Sequence, residues 1–81
     1  IEGLNDGATL ARAPGSDKPA SVRLRALGTE TEVQWLLDGR WIGLTRGARS
    51  FEHGFEQPGE HTLTALADSG AWSTLRFRVL R

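Results

Sequence analysis

Cysteine, methionine and tyrosine are absent from these 81 residues, proline occurs three times, and acids and bases cancel at ten each. Without cysteine there is no disulfide and no thiolate metal site, so packing alone must hold the core. Zero net charge removes the general attraction for nucleic acid or anionic lipid, so neither a nucleic-acid partner nor direct membrane insertion is expected. No apolar run approaches the roughly 18 residues of a membrane-spanning helix. No signal-like start is present, and the chain opens on Ile1 rather than methionine, so it is expected to be a piece of a longer protein. Gly-x-Ser-x-Gly and Ser-x-x-Lys are missing as well, which leaves no activated nucleophile and no expected catalytic residue. The glycines punctuate turns instead of forming a phosphate-cradling series, so no nucleotide or other cofactor is expected.

What is present is alternation. Val33-Gln34-Trp35-Leu36-Leu37 and Arg40-Trp41-Ile42-Gly43-Leu44 flank Asp38-Gly39, a strong hairpin signal because a type I′ turn needs positive φ at both central residues. A two-residue turn opposes Leu37 to Arg40, Leu36 to Trp41, Trp35 to Ile42 and Val33 to Leu44. Val33, Trp35, Leu37, Ile42 and Leu44 then share the core face, and Trp41 points away from it.

The rest of the chain reads the same way. Leu4-Asn5-Asp6-Gly7 is a turn leading into a short edge strand, Ala8 to Arg12, and Pro14-Gly15-Ser16-Asp17-Lys18-Pro19 has loop composition. Val22, Leu24 and Ala26 alternate with Arg23 and Arg25, and Phe51, His53 and Phe55 alternate with Glu52, Gly54 and Glu56. Gln57-Pro58-Gly59-Glu60 suits a type II turn. A final hairpin around Asp68-Ser69-Gly70 pairs His61 with Phe77 and Leu63 with Leu75 inward, and Glu60–Arg78, Thr64–Thr74 and Leu66–Trp72 outward.

About seven short strands without a helical period predict an all-β fold: one domain over 1–81, an immunoglobulin-like antiparallel sandwich without a disulfide. Its expected core is Val22, Leu24, Val33, Trp35, Leu37, Ile42, Phe51, Phe55, His61, Leu63, Leu75, Phe77 and Val79. A domain this size has roughly 4–12 kcal/mol of stability.

Two sets of residues are candidates for more than folding. His53 and His61 could share a metal with Glu52, Glu56 or Glu60, but both fall at inward parity near Pro58-Gly59, where a ring hydrogen-bonded to backbone closes the corner; no metal site is therefore expected. Trp41 and Trp72 both fall on the outer face, together with Gln34, Leu36, Thr62, Thr64, Leu66, Thr74 and Arg76. This aromatic and polar mixture suits a protein partner or stacking on sugar rings, and the plainer alternative is indoles covering the ends of two hairpins.

The ordered set Asp6-Gly7-Ala8, Val33-x-Trp35-x-x-Asp38-Gly39 with Gly43, Pro58-Gly59-x-His61-x-Leu63-x-Ala65, and Gly70 followed by Phe77-x-Val79 resembles the small C-terminal domain of bifunctional, class A penicillin-binding proteins of the 1C type. The resemblance spans nearly the whole chain. It departs where the family often has proline before the entry Asp-Gly and an acid at the position of Ala67. It implies a non-catalytic accessory domain in the periplasm, part of an inner-membrane-anchored parent that polymerises and crosslinks peptidoglycan with motifs lying upstream. The implied partner is the transpeptidase domain of the same parent or another periplasmic cell-wall protein. The alternatives are a carbohydrate-binding module contacting peptidoglycan glycan strands and a plain spacer domain of a surface protein.

Overall fold

The computed structural model describes residues 1–11, 15 and 18–80. Among these residues the chain forms seven strands and no helix: β1 (Ala8–Leu10), β2 (Ala20–Leu24), β3 (Glu32–Leu37), β4 (Arg40–Arg46), β5 (Phe51–Phe55), β6 (Gly59–Ala67) and β7 (Trp72–Val79). Arg12, where the first strand was expected to end, lies outside the described residues, as do Pro14, Ser16 and Asp17 of the expected loop. One sheet has the order β1-β7-β6-β3-β4, and β2 and β5 form a second, two-stranded sheet. The order β3–β6–β7 opposite β2–β5 is compatible with an immunoglobulin-like sandwich, and the pairing is antiparallel except at the edge, where β1 runs parallel to β7.

Rings from the two sheets meet between the layers. Phe55 lies edge-on to Phe77 with centroids 4.8 Å apart, and Phe51 tilts against Trp35 at 5.2 Å. Leu24, Trp35 and Leu63 are fully buried, and Val33, Phe55, Leu75, Phe77 and Val79 nearly so. Val22, Leu37, Ile42 and Phe51 are partly buried and packed on that cluster, to which Leu4, Ala26, Ala65 and Ala67 also belong. The alanines have a purpose. Trp35 sits across from Gly43 on β4 and Ala65 on β6, so the largest core side chain lies between two of the smallest residues.

The Asp38-Gly39 turn has φ of 52° and 83°, the positive pair that type I′ requires, and Leu37↔Arg40 and Leu36↔Trp41 pair as expected. The register then shifts. A bulge between Trp35 and Leu36 sets Trp35 opposite Gly43, Gln34 opposite Leu44 and Val33 opposite Thr45. The expected pairs Trp35–Ile42 and Val33–Leu44 are therefore corrected, and Leu44 is turned outward, 51% exposed. The reason lies in Gly43. The Phe51 ring packs on it so closely that a Cβ there would meet Phe51 Cε2 at 3.3 Å, and the extra residue brings Thr45 inward, where its hydroxyl accepts a hydrogen bond from Trp35 Nε1 at 2.9 Å.

The last hairpin has the expected register throughout, from Gly59↔Val79 to Leu66↔Trp72, closed by Ala67 N–H to the Ala71 carbonyl with Gly70 at φ 91°. Its outer pairs are in contact: Thr64 and Thr74 hydroxyls at 3.0 Å, and Arg78 Nη2 to Glu60 Oε1 at 3.0 Å.

The chain enters under tight constraint. Gly3 has φ 103°, and a Cβ there would lie 2.0 Å from the Arg23 carbonyl oxygen. Gly3→Ala is expected to lower stability by about 1–3 kcal/mol in urea unfolding, since the backbone must both leave an unfavourable φ and retreat from β2.

Candidate interaction face

Strands alternate their side chains, so the outer face of the five-stranded sheet is set by the registers just given. Leu36 pairs with Trp41 on one side and Thr64 on the other, and Thr64 with Thr74; this makes a row Trp41–Leu36–Thr64–Thr74 across four strands. Gln34 pairs with Leu44 and Leu66, and Leu66 with Trp72, which makes a second row Leu44–Gln34–Leu66–Trp72 beside the first. Thr62 and Arg76 begin a third. All nine residues named from the sequence thus lie on one face, and the bulge adds Leu44, which sequence parity had placed inside.

The two rows give the face its character. Trp41 and Trp72 stand at opposite corners, roughly 16 Å apart from strand spacing and residue rise. They are 61% and 67% exposed, Leu66 is exposed beside Trp72, and the centre is neutral: Gln34, Leu36 and two threonines that bond to each other. Large exposed indoles beside exposed leucines are enriched in partner contacts, because they remove much apolar surface from water with few rotatable bonds.

The two histidines fare differently. His61, on β6, donates from Nδ1 to Asp38 Oδ2 at 2.6 Å and from Nε2 to the Gln57 carbonyl at 2.7 Å, while Asp38 Oδ1 accepts from the Thr62 N–H at 2.8 Å. Both ring nitrogens face acceptors, so the imidazolium form fits. The hydrogen bond to Asp38 first, then the Gln57 carbonyl and the Asp38 charge, hold the His61 pKa up against burial. Burial pushes the Asp38 carboxyl up, but the His61 hydrogen bond, the Thr62 N–H and the His61 charge together leave it below its ordinary value. An Asp–His pair can serve a nucleophile, but here the nitrogen that would do so is held by a carbonyl; the pair ties the β3–β4 turn to the β5–β6 corner. His53 packs instead against Phe55 and Phe51, at 5.0 and 6.4 Å, and burial lowers its pKa. Among the described residues no group of three His, Asp or Glu side chains is arranged to hold a metal. Asp38, Arg40, His53, Glu56 and His61 border a cleft of about 660 Å³ at this end of the sandwich, into which Leu37 and Ile42 also look.

Residues 1–77 match the model of the penicillin-binding protein C-terminus family. No match was found among curated proteins or among solved structures.

Proposed function

The chain belongs to the penicillin-binding protein C-terminus family, and on that premise we propose that it is a non-catalytic accessory domain of a bifunctional peptidoglycan synthase, acting by protein contact. Its parent is anchored in the inner membrane and works on the cell wall from the periplasmic side, and the transglycosylase and transpeptidase chemistry lies in other domains. The contact is made through the face bearing Trp41 and Trp72, and the partner is the transpeptidase domain of the same parent.

One observation carries the reading: two indoles and two leucines, all exposed, stand in adjacent rows of a single sheet whose centre has no charged side chain. In a chain of balanced charge, steering by net charge is absent, and aromatic side chains that become buried on contact are a strong source of affinity. Substituting Trp41→Ser together with Trp72→Ser should leave the domain folded, with stability changed by about 0.5 kcal/mol or less per site, because neither indole enters the core. Its affinity for the remainder of the parent, measured by calorimetry, should fall about tenfold or more. Unchanged affinity would remove the face from the proposal.

A further inference from the structure

The outer face leaves unused the open end of the space between the sheets. There β3 and β4 of the large sheet border, with β5 of the small one, the cleft of about 660 Å³, a size within the roughly 300–1,000 Å³ of small-ligand sites. Its floor is apolar. Leu37 and Ile42 pack on the core from one sheet, and Phe55 belongs to the core from the other. Two of its charged groups are already spent: His61 donates to Asp38 and to the Gln57 carbonyl, and Asp38 also accepts from the Thr62 N–H.

Three polar groups are still free. Arg40 pairs with Leu37 across the hairpin, so it stands on the core-facing side of β4 at the rim, with its side chain exposed. Glu56 follows directly on β5, on the side of the other sheet, and His53 is half-buried on β5 itself. Among the described residues nothing pairs with the Arg40 guanidinium or the Glu56 carboxylate, and neither ring nitrogen of His53 has a hydrogen-bond partner. The cleft thus has opposite charges on its two sides, and they do not meet each other.

We infer that this cleft binds a short zwitterionic peptide, its carboxylate on Arg40, its ammonium on Glu56, an apolar side chain on the Leu37–Ile42 floor and its amide against His53. Each group suits its role. Guanidinium offers a carboxylate two parallel donors, and a neutral imidazole has one donor and one acceptor, which is what an amide unit needs. Burial lowers the His53 pKa and so favours that neutral ring. An anion lacking an ammonium would face Asp38 and Glu56 as well as Arg40, whereas a cation lacking a carboxylate would face Arg40 and the His61 imidazolium. A ligand of both signs satisfies both sides. The cleft lies on the opposite side of the five-stranded sheet from Trp41 and Trp72, so it stands or falls apart from the docking face.

Alanyl-leucine, its N-acetyl form and its C-terminal amide, each titrated into the nitrogen-15-labelled domain, test this by nuclear magnetic resonance. The free dipeptide should shift the Arg40, His53 and Glu56 signals saturably while the Trp35 indole signal reports an unchanged core. Acetylation removes the ammonium and amidation the carboxylate, and each should weaken binding about fivefold or more. Arg40→Gln should weaken the free and acetylated forms by that factor and spare the amide; Glu56→Gln should weaken the free form and the amide and spare the acetylated form. Both positions are exposed, so both variants keep the fold. No saturable shift around the cleft would overturn the inference. So would an acetylated form as tight as the free one, the mark of a protein C-terminus, or an amide as tight, the mark of an N-terminus. Equal losses for all three ligands in Arg40→Gln would overturn it too, because Arg40 would then not be reading the carboxylate.

Discussion

Replacing Trp35 with alanine is expected to remove about 3–5 kcal/mol, a large share of the roughly 4–12 kcal/mol that a domain of this length has, and the urea unfolding midpoint should fall steeply. The indole is fully buried, tilts against Phe51 and is flanked across the strands by Gly43 and Ala65, whose small side chains fill little of the space it would leave. Its Nε1–H adds a polar requirement that the bulge satisfies through Thr45, which is itself buried. Thr45→Val keeps the shape but leaves that N–H without an acceptor, and should cost about 1–3 kcal/mol. A Trp35→Ala variant with near-normal stability would mean that the two sheets do not pack around this residue.

The second large effect is on pH. His61 has a folded pKa above its unfolded value, so its contribution is fully present below about pH 6.5 and is lost as pH rises through the folded pKa. The structural cause is plain. A neutral ring keeps one N–H, and if that proton stays with Asp38, Nε2 and the Gln57 carbonyl become two acceptors 2.7 Å apart, which opens the β5–β6 corner. Asp38 acts in the other direction: its lowered pKa gives stability that is present above the ordinary carboxylate value and lost as pH falls through the folded pKa. His53, lowered by burial, resists protonation in the folded state and destabilises the domain below about pH 6.5. Urea titrations from mildly acid to alkaline pH should thus show stability falling on the alkaline side. His61→Gln should abolish that fall and cost about 1–2 kcal/mol near pH 6, the lower part of the range for charge-assisted bonds because Asp38 is half exposed. His53→Gln should flatten only the acid side. An alkaline fall that persists in His61→Gln would mean that another group is responsible.

The fold was largely legible because its signals are local. Asp38-Gly39 specifies a turn that few other dipeptides can make, and the alternation from Glu60 to Ala67 and from Trp72 to Val79 admits one register once a three-residue loop closes it. Strand parity likewise put Trp41 and Trp72 on the outer face. The bulge was missed although Gly43 marks it, since an isolated glycine within a strand pattern signals a bulge or a close approach, and both occur here. The bulge turned Leu44, expected in the core, to the outer face, and it brought Thr45, whose polar surroundings read as loop, into the strand and inward. The parallel pairing of β1 with β7 and the Asp38–His61 pair were not legible, because each joins segments whose adjacency depends on the assembled sheet. The corner role expected of the histidines holds for His61 through Gln57, whereas His53 is half-buried and packs edge-on against Phe55.

The most direct test of the docking face uses the three indole N–H signals of the labelled domain in nuclear magnetic resonance spectra while the parent protein lacking this domain is added. Trp35, bonded to Thr45 in the core, is the built-in control. The account predicts that the Trp41 and Trp72 signals shift or broaden saturably while Trp35 stays in place. Silence from both outer indoles on adding that partner, with saturable shifts on adding peptidoglycan glycan fragments instead, would contradict it.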